Sequence, residues 1–361
     1  MDQPTHAVHG GAFFDAIGVD FQSLQRKDEV INADVLDAWY DPSPRVISAL
    51  REHLPWLVRT SPPTHGEGLV KVISEVRGIP EDHIIVGNGT SSLMYLALPH
   101  IVRKGSKVTL LDPMYGEYEH IFRQVLHCDI NFVELHANEN FRLNVNHLIA
   151  AGRDSDLIAL VNPNSPTGVG VDRQFVADLL QALPRSTKVW IDETYVDYAP
   201  GTTAEPLVDD PRLIIAKSMS KFYGLSGLRV GYLAGSPQVL GAMQTEAPPW
   251  SVGLLGQVGA VEALRDTAYY DARSAETHAY REQFVAALAQ IPGMRPIPST
   301  TNFVMVELDQ PIAADLTQRC AAQDVFIRNC DSLSPRFQGH FIRLAVKPPS
   351  QQERILATLR G

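Results

Sequence analysis

The sequence predicts an α/β protein with a large, mostly parallel sheet covered by helices on both faces, and a smaller C-terminal α+β domain. Between about residues 80 and 240, short apolar runs alternate with longer stretches of helical periodicity. Parallel strands joined by crossover helices produce this alternation, because both faces of such a sheet are buried. After about residue 255 a long helical region is followed by strands without regular helices between them. That change indicates the second, smaller domain.

The elements follow in order along the chain. Strands of the large sheet are predicted at 83–87, 107–113, 157–163, 188–193 and 213–218. The C-terminal part is predicted to hold a helical region at 254–291, strands in "TNFVMVEL", "VFIRNC" and "HFIRLAV", and a last helix in "SQQERILATLRG". The predicted division is an N-terminal segment (1–40) that packs over the cleft, a large domain (41–253) and a small domain (254–361).

Composition narrows the classes of function. The formal charge of −10 argues against a general nucleic-acid binder, because phosphate neutralisation needs a basic surface. Cys128, Cys320 and Cys330 are too scattered for a disulfide framework or a zinc site, so no metal is expected. With no signal-like start and no run of eighteen apolar residues, we expect a cytoplasmic protein that does not bind a membrane.

Candidate ligand groups follow the predicted strands. In an open α/β sheet, ligands bind beyond the carboxyl ends of the strands. "GNGTSS" (87–92) combines glycines, a helix start and hydroxyls that suit a phosphate, although a tight turn with a cap explains it equally well. "DPMYGEY" places Tyr115 at this edge, where its ring either packs or stacks on a ligand. Asp192 stands at the end of an apolar strand, where a buried carboxylate needs a cationic partner to stay charged. Alternatively, Asp192 is an ordinary helix N-cap. Tyr195 follows it three residues later.

The fifth strand leads into "AKSMSKFYGLSGLRVGYLAG", which brings two lysines, Lys217 and Lys221, and the arginine Arg229. The strand ends then offer a phosphate site, an aromatic face, a buried carboxylate, a phenol and a lysine. A flat, phosphorylated ring with a basic nitrogen and an aldehyde matches that set. The expected cofactor is therefore pyridoxal 5′-phosphate.

The segment "SMSKFYGLSGLRVGY" resembles the Schiff-base signature of fold-type I pyridoxal-phosphate enzymes, the class I and II aminotransferase superfamily. "GNGTSS", "NPNSPTG" and "VWIDETYVDY" occur in that family's order and spacing. The resemblance implies a fold-type I enzyme, and a homodimer whose two active sites lie at the interface.

The resemblance also implies roles for individual residues. Lys221 would form the Schiff base, whereas Lys217 is expected to be a solvated or cap-pairing lysine. The cofactor-binding residues it implies are Gly89, Thr90, Ser91, Tyr115, Asn162, Ser165, Asp192, Tyr195, Ser218, Ser220, Lys221 and Arg229. Among them Asp192 would pair with the ring nitrogen and Tyr195 with the ring oxygen, and Arg229 would bind the phosphate. Ser165 stands where many relatives have asparagine, and Ser61 where many have a tyrosine that reaches the partner's cofactor.

Three further stretches resemble threonine-phosphate decarboxylases more than histidinol-phosphate aminotransferases: "HGG" (9–11), "APPWSVG" (247–253) and 327–360. The resemblance implies decarboxylation of a phosphorylated or phosphono α-amino acid, with the aminotransferase reaction as the alternative. Arg343 would bind the substrate carboxylate, Arg328 and His9 its distal phosphate, and Arg336 is a further candidate. Gly10 and Asn32 would complete the substrate site. The Asn-rich "SANIN-P" of those decarboxylases is here "INADVLDAW", in which Asn32 is the expected counterpart.

A ligand-sensing role, known for this fold in transcription regulators, is the alternative outside catalysis. The sequence shows neither an appended helix-turn-helix segment nor a basic patch, and its lysine and aspartate are intact. A nicotinamide-dependent dehydrogenase is disfavoured because the sequence has no complete GxGxxG motif.

Overall fold

The computed structural model describes residues 9–361, within which the chain forms twelve α-helices and thirteen strands. The helices are α1 (Phe13–Ile17), α2 (Pro44–Arg59), α3 (Glu67–Arg77), α4 (Gly89–Ile101), α5 (Gly116–His120), α6 (Val145–Gly152), α7 (Arg173–Ala182), α8 (Pro237–Glu246), α9 (Leu254–Arg265), α10 (Thr267–Leu288), α11 (Ala313–Ala321) and α12 (Pro349–Arg360). The strands are β1 (Ile31–Asn32), β2 (Ile84–Gly87), β3 (Lys107–Asp112), β4 (Asp129–Glu134), β5 (Leu157–Val161), β6 (Lys188–Asp192), β7 (Leu213–Ser218), β8 (Gly231–Gly235), β9 (Met294–Pro296), β10 (Phe303–Leu308), β11 (Val325–Phe326), β12 (Arg328–Asn329) and β13 (Phe341–Ala345).

The large sheet has seven strands in the order β2-β8-β7-β6-β5-β3-β4. The five strands predicted from sequence are all in it, and the pairs formed by β3 to β7 are parallel. Strand β8 runs antiparallel to both of its neighbours. The prediction of a mostly parallel sheet is therefore confirmed. It missed β4, a largely exposed edge strand, and β8, whose sequence "GYLAG" begins and ends with glycine.

The smaller sheet is antiparallel, in the order β12-β13-β10-β9. Strands β10, β12 and β13 lie in the predicted segments, whereas the short strand β9 lies outside them. The N-terminal segment also joins this part of the chain, because Ile31 of β1 pairs in parallel with Val325 of β11. Side chains of that segment, including Ala33 and Leu36, pack in the same apolar cluster as the small sheet. The predicted boundaries at 40/41 and 253/254 stay a prediction.

The core of the large sheet is apolar on both faces, as the continuous Val/Ile/Leu runs predict. Strands β5 and β7 are buried at every position, and Trp190 of β6 is fully buried. No helix between residues 9 and 361 is long and apolar enough to cross a membrane. The same residues contain no group of three or more His, Cys, Asp or Glu side chains placed to hold a metal.

A cluster of four charged side chains lies beneath the carboxyl ends of β6 and β7; we call it the buried charge cluster, and it consists of Arg77, Glu193, Asp197 and Lys217. Lys217 Nζ lies 3.4 Å from Glu193 Oε2 and 3.4 Å from Asp197 Oδ1. Arg77 holds both oxygens of Asp197, at 3.0 and 3.1 Å. The expectation that Lys217 is solvated is therefore wrong, since Lys217 is only 1% exposed. Two carboxylates from the neighbouring segment supply the charge that lets it be buried.

Asp197 carries the pH dependence of this cluster. Burial raises the pKa of its carboxyl, but Arg77 and Lys217 outweigh burial and lower that pKa to about 2. A carboxyl whose pKa is lower in the folded than in the unfolded state stabilises the fold above the unfolded value, near pH 4, and this contribution is lost as the pH falls towards 2.

We expect Asp197→Asn to lower the free energy of unfolding by about 3 kcal/mol at pH 7, because Arg77 loses its carboxylate partner and Lys217 loses one of two. Urea unfolding midpoints, compared with those of wild type between pH 7 and pH 3, measure the loss. The difference should be constant above about pH 4 and shrink below it. Asp178→Asn, an exposed change on α7, is the matched control. Equal midpoints for wild type and Asp197→Asn at pH 7 would contradict the assignment.

Candidate active site

A cavity of about 230 Å³ lies at the carboxyl ends of β5, β6 and β7. It is bounded by the N-terminal segment, the start of α4 and the small sheet. Of the residues predicted from sequence, the following line it: His9, Gly10, Thr90, Ser91, Tyr115, Ser165, Asp192, Tyr195, Ser218, Ser220, Lys221, Arg229 and Arg343. The predicted residues that do not line it directly are Gly89, Asn32, Asn162 and Arg328. The cavity is also lined by Asp34, which no sequence motif indicates.

One end of the cavity is built to hold an anion. Helix α4 begins there at Gly89, and the side chain of Asn88 does not cap its backbone N–H groups. Arg229 reaches the same place, donating from Nη1 to the Ser226 carbonyl at 3.0 Å. Gly89 has φ +78°, and a Cβ on it would lie 2.6 Å from Arg229 Nη2. Only glycine therefore lets the guanidinium approach the helix start, where both favour a phosphate.

Asp192 ends β6 in the wall of the cavity and is 3% exposed. Its Oδ1 accepts hydrogen bonds from the Thr194 N–H (2.9 Å) and hydroxyl (2.6 Å), and its Oδ2 from the Tyr118 hydroxyl (2.9 Å). Burial raises the pKa of the Asp192 carboxyl, although these hydrogen bonds oppose the rise. Burial makes the negative charge of this carboxylate unfavourable unless a cation is near. A protonated ring nitrogen in the cavity would supply that positive charge.

Lys221 lies on the loop after β7, with its Nζ 2.9 Å from Asp37 Oδ1. The Ser226 hydroxyl donates to the same oxygen at 2.6 Å. Burial raises the pKa of Asp37, but Lys221 and Ser226 outweigh it, so the net pKa lies below its ordinary value. Asp37 holds the amine of Lys221 at the cavity wall. Asp37 could not be predicted from sequence, because the N-terminal segment is far from Lys221 along the chain and shows no regular apolar periodicity.

Two phenols form the sides of the cavity. Burial raises the pKa of Tyr115 to about 12, with Glu117 and Asp192 adding to the rise. Burial likewise raises the pKa of Tyr195, which packs edge-on against Phe303 with ring centroids 5.1 Å apart. Both hydroxyls are therefore protonated at neutral pH and able to donate hydrogen bonds to a ligand.

The far end of the cavity carries Arg343, on β13. Its Nη1 donates to the Ser165 hydroxyl and its Nη2 to the Asp34 carbonyl, both at 3.0 Å. Its Nε is buried and has no hydrogen-bond acceptor among the described residues. The Arg343 guanidinium also lies over the ring of Phe303, 5.6 Å from its centroid. The Arg343 guanidinium is therefore held in position, and a substrate carboxylate at this end of the cavity could accept further hydrogen bonds from it.

Several predicted residues are engaged elsewhere. The Asn162 side chain bonds the backbone of Val171 (3.0 and 2.8 Å), and the Asn32 side chain accepts from Val35 N–H (3.0 Å). His9 lines the cavity, but its Nε2 lies 2.9 Å from Glu117 Oε2. Arg336 bonds the carbonyl and carboxylate of Asp112, outside the cavity.

The sequence matches the family Aminotransferase class I and II over residues 32–359. The chain belongs to this family. The resemblance seen in the sequence is therefore confirmed.

Relatives of the family differ in activity. Threonine-phosphate decarboxylase of Salmonella typhimurium is 30% identical over 292 residues, 78% of this chain and 78% of that enzyme. Histidinol-phosphate aminotransferase of Moorella thermoacetica is 27% identical over 325 residues, 88% of this chain and 82% of that enzyme. The crystal structure of histidinol-phosphate aminotransferase from Sinorhizobium meliloti with pyridoxal 5′-phosphate superposes with a TM-score of 0.83 at 23% identity, covering 99% of this chain and 98% of that one. The fold-type I architecture is confirmed.

Pyridoxal 5′-phosphate is the cofactor of this class I and II aminotransferase family member. The cavity fits it on independent grounds. Gly89 leaves room for an anion beside Arg229, Asp192 presents a buried carboxyl, and the amine of Lys221 is accessible to an aldehyde. These groups lie on separate elements whose ends come together at this edge of the sheet.

Asp192→Asn is expected to retain the cofactor, detected by its visible absorbance, and to lower turnover by about 100-fold or more. The amide cannot provide the negative charge that keeps a ring nitrogen protonated. Steady-state kinetics of the loaded protein measure the loss, with Asp178→Asn as the matched surface control. A fully active Asp192→Asn protein would rule out this role.

Proposed function

We propose that this protein uses pyridoxal 5′-phosphate to decarboxylate a phosphorylated or phosphono α-amino acid, releasing CO₂ and a primary amine. Transfer of the amino group to a 2-oxo acid, as in histidinol-phosphate aminotransferases, is the second candidate. Both reactions break one bond at the substrate's Cα, and they differ in which bond that is.

The observation that carries the substrate assignment is the pairing of two arginines. Arg328 on β12 and Arg343 on β13 are direct partners in antiparallel register. Directly opposed residues project from the same face of a sheet with Cβ atoms roughly 5 Å apart. Arg343 lines one end of the cavity, and Arg328 lies next to that wall, 3.8 Å from Asp34, so two neighbouring guanidiniums suit a substrate with two anionic groups. Arg343, on the cavity wall, is placed for the α-carboxylate, and Arg328 for the distal anion.

The remaining roles follow from positions around the cavity. The bound cofactor supplies a ring that takes up the electron pair left at Cα when a bond breaks. Asp192 holds a proton on the ring nitrogen, and Tyr195 donates to a ring oxygen. Lys221 carries the proton that Cα must receive after CO₂ departs, and Asp37 and Ser226 keep its Nζ at the cavity wall.

The choice of decarboxylation is supported by the relative from Salmonella typhimurium, a threonine-phosphate decarboxylase. The "HGG" at 9–11 and the "IRNC" at 327–330 support it further. The transaminase is retained because histidinol-phosphate aminotransferases match a larger share of this chain.

An exposed apolar patch on α2 supports a homodimer. Ile47, Leu54 and Val58, whose spacing puts them on one side of the helix, are 37%, 47% and 67% exposed, and Ser61, which follows the helix, is exposed as well. Large exposed apolar patches mark association surfaces, and we assign this one to a second copy of the chain. Light scattering should give twice the mass of one chain, and a monomer at the concentrations used for assay would contradict it.

The proposed reaction is tested by a product assay on the loaded protein. The panel contains phosphothreonine, phosphoserine, a phosphono amino acid, and histidinol phosphate with 2-oxoglutarate. CO₂ release without an acceptor supports the decarboxylase, whereas glutamate formation from histidinol phosphate without CO₂ makes the protein an aminotransferase.

Arg328→Ala should lower kcat/KM about 10- to 100-fold for phosphorylated substrates, because a charged hydrogen-bond donor is lost, and much less for unphosphorylated analogues. Arg295→Ala, an exposed change on β9 of the same sheet, is the matched control. Equal losses on both kinds of substrate would remove Arg328 from the phosphate site.

A further inference from the structure

One buried charge in the cavity is not used by the function proposed above. Asp34 is 4% exposed and lines the cavity. Its Oδ2 accepts a hydrogen bond from Gly11 N–H at 2.9 Å. Its Oδ1 accepts none from any described residue. A buried carboxylate oxygen without a donor is costly, so a bound ligand is expected to supply one.

The nearest cation does not satisfy that oxygen. Arg328 Nη1 lies 3.8 Å from Asp34 Oδ1, which is an ion pair but too long for a hydrogen bond. The same guanidinium donates from Nη2 to Ser332 Oγ at 2.9 Å. A ligand phosphoryl group that lies beside this pair and contacts both side chains would accept from Arg328 with one oxygen and donate to Asp34 with another.

We propose that the distal phosphoryl group of the substrate binds together with one proton, which is shared between a phosphoryl oxygen and Asp34 Oδ1; this inference rests on the proposed function. A singly protonated phosphoryl group has acceptor oxygens for Arg328 and one O–H for Asp34. The dianion has acceptors only, and it would face the carboxylate with like charge. Asp34 thereby selects the protonation state of the substrate.

The surroundings of Asp34 contain no better proton donor for Oδ1. Arg328 and Arg343 face it from β12 and β13, and Arg343 is already bonded to the Asp34 carbonyl. Cys330, after β12, is fully buried, and burial raises the pKa of its thiol to about 12, so it stays neutral. His9, from the N-terminal segment, is bonded to Glu117. Lys221 Nζ lies 2.9 Å from Asp37.

The consequence is a defined pH dependence. The second pKa of a phosphate ester is about 6, so the free ligand is mainly a dianion above that pH. Binding at pH 8 should therefore take up about one proton per site from solvent. The apparent affinity should fall about tenfold for each pH unit above about 6, because the singly protonated form becomes scarcer.

The test is calorimetric and needs no turnover. O-phosphoethanolamine is titrated into the loaded protein at pH 8, in two buffers of different ionisation enthalpy, and the difference in heat gives the number of protons taken up. Wild type should take up about one proton per site more than Asp34→Asn, whose amide donates to the dianion without a proton. Asp178→Asn should match wild type.

A second ligand keeps the test decisive if Asp34→Asn does not fold. O-sulfoethanolamine carries a sulfate ester with no titratable proton near neutral pH and no O–H to donate to Asp34. Wild type should bind it more than tenfold more weakly at pH 7 than the phosphate, and without the extra proton. Equal proton uptake for the two esters, or for wild type and Asp34→Asn, would overturn the role of Asp34.

Failure of the proposed function would look different. If no phosphorylated compound in the panel is bound or converted by wild type, the phosphate substrate is wrong and the role of Asp34 is wrong with it. If phosphorylated compounds bind without the extra proton, the substrate class stands and only the shared proton is wrong.

Discussion

The ion pairs of Lys217 with Glu193 and Asp197 are the interactions on which the active site depends. Glu193 directly follows Asp192, and Lys217 is the second-last residue of β7, the strand that leads into the loop carrying Lys221. Each charge is withdrawn from water, so the cluster is stable only when all partners are in place. It therefore ties the end of β6 to the end of β7 and holds the carboxyl and the amine of the cavity at fixed positions. Arg77, at the end of α3, donates to Asp197 and so links α3 to the same cluster.

Much of the site could be predicted because the large sheet has a simple sequence pattern. Apolar strands followed at once by polar side chains identify the edge where ligands bind, and Thr90 and Asp192, predicted in this way, line the cavity there. The choice of Lys221 over Lys217 rested on the family resemblance, because both lysines come from the same segment. The burial of Lys217 was not foreseen, because no local pattern distinguishes a solvated lysine from one whose counter-charges lie on another strand. Asn162 illustrates the opposite case: it was predicted to contact the cofactor, but its side chain donates to the backbone of Val171, because a polar side chain in a turn can bond the backbone instead of a ligand.

The N-terminal segment was the least predictable part, and it supplies part of the cavity wall. It has no strong periodicity and is held by the short pairing of β1 with β11, which joins residues almost 300 positions apart. From it come Asp34 and Asp37, one beside the paired arginines and one hydrogen-bonded to Lys221. Where the resemblance favoured Asn32, the structure brings Asp34 to the cavity wall. An aspartate accepts hydrogen bonds where an asparagine can also donate them, so the change alters what the site can bind.

We propose that Lys217 is a structural residue and that Lys221 is the lysine that binds the cofactor. Borohydride reduction of the loaded protein fixes the cofactor to its lysine, and peptide mass mapping then locates it. A protease that does not cut after lysine keeps the two candidates in one peptide, and fragmentation of that peptide separates them. The account predicts the added mass on Lys221 alone. Added mass on Lys217 would contradict it, because the ion pairs with Glu193 and Asp197 could not then exist.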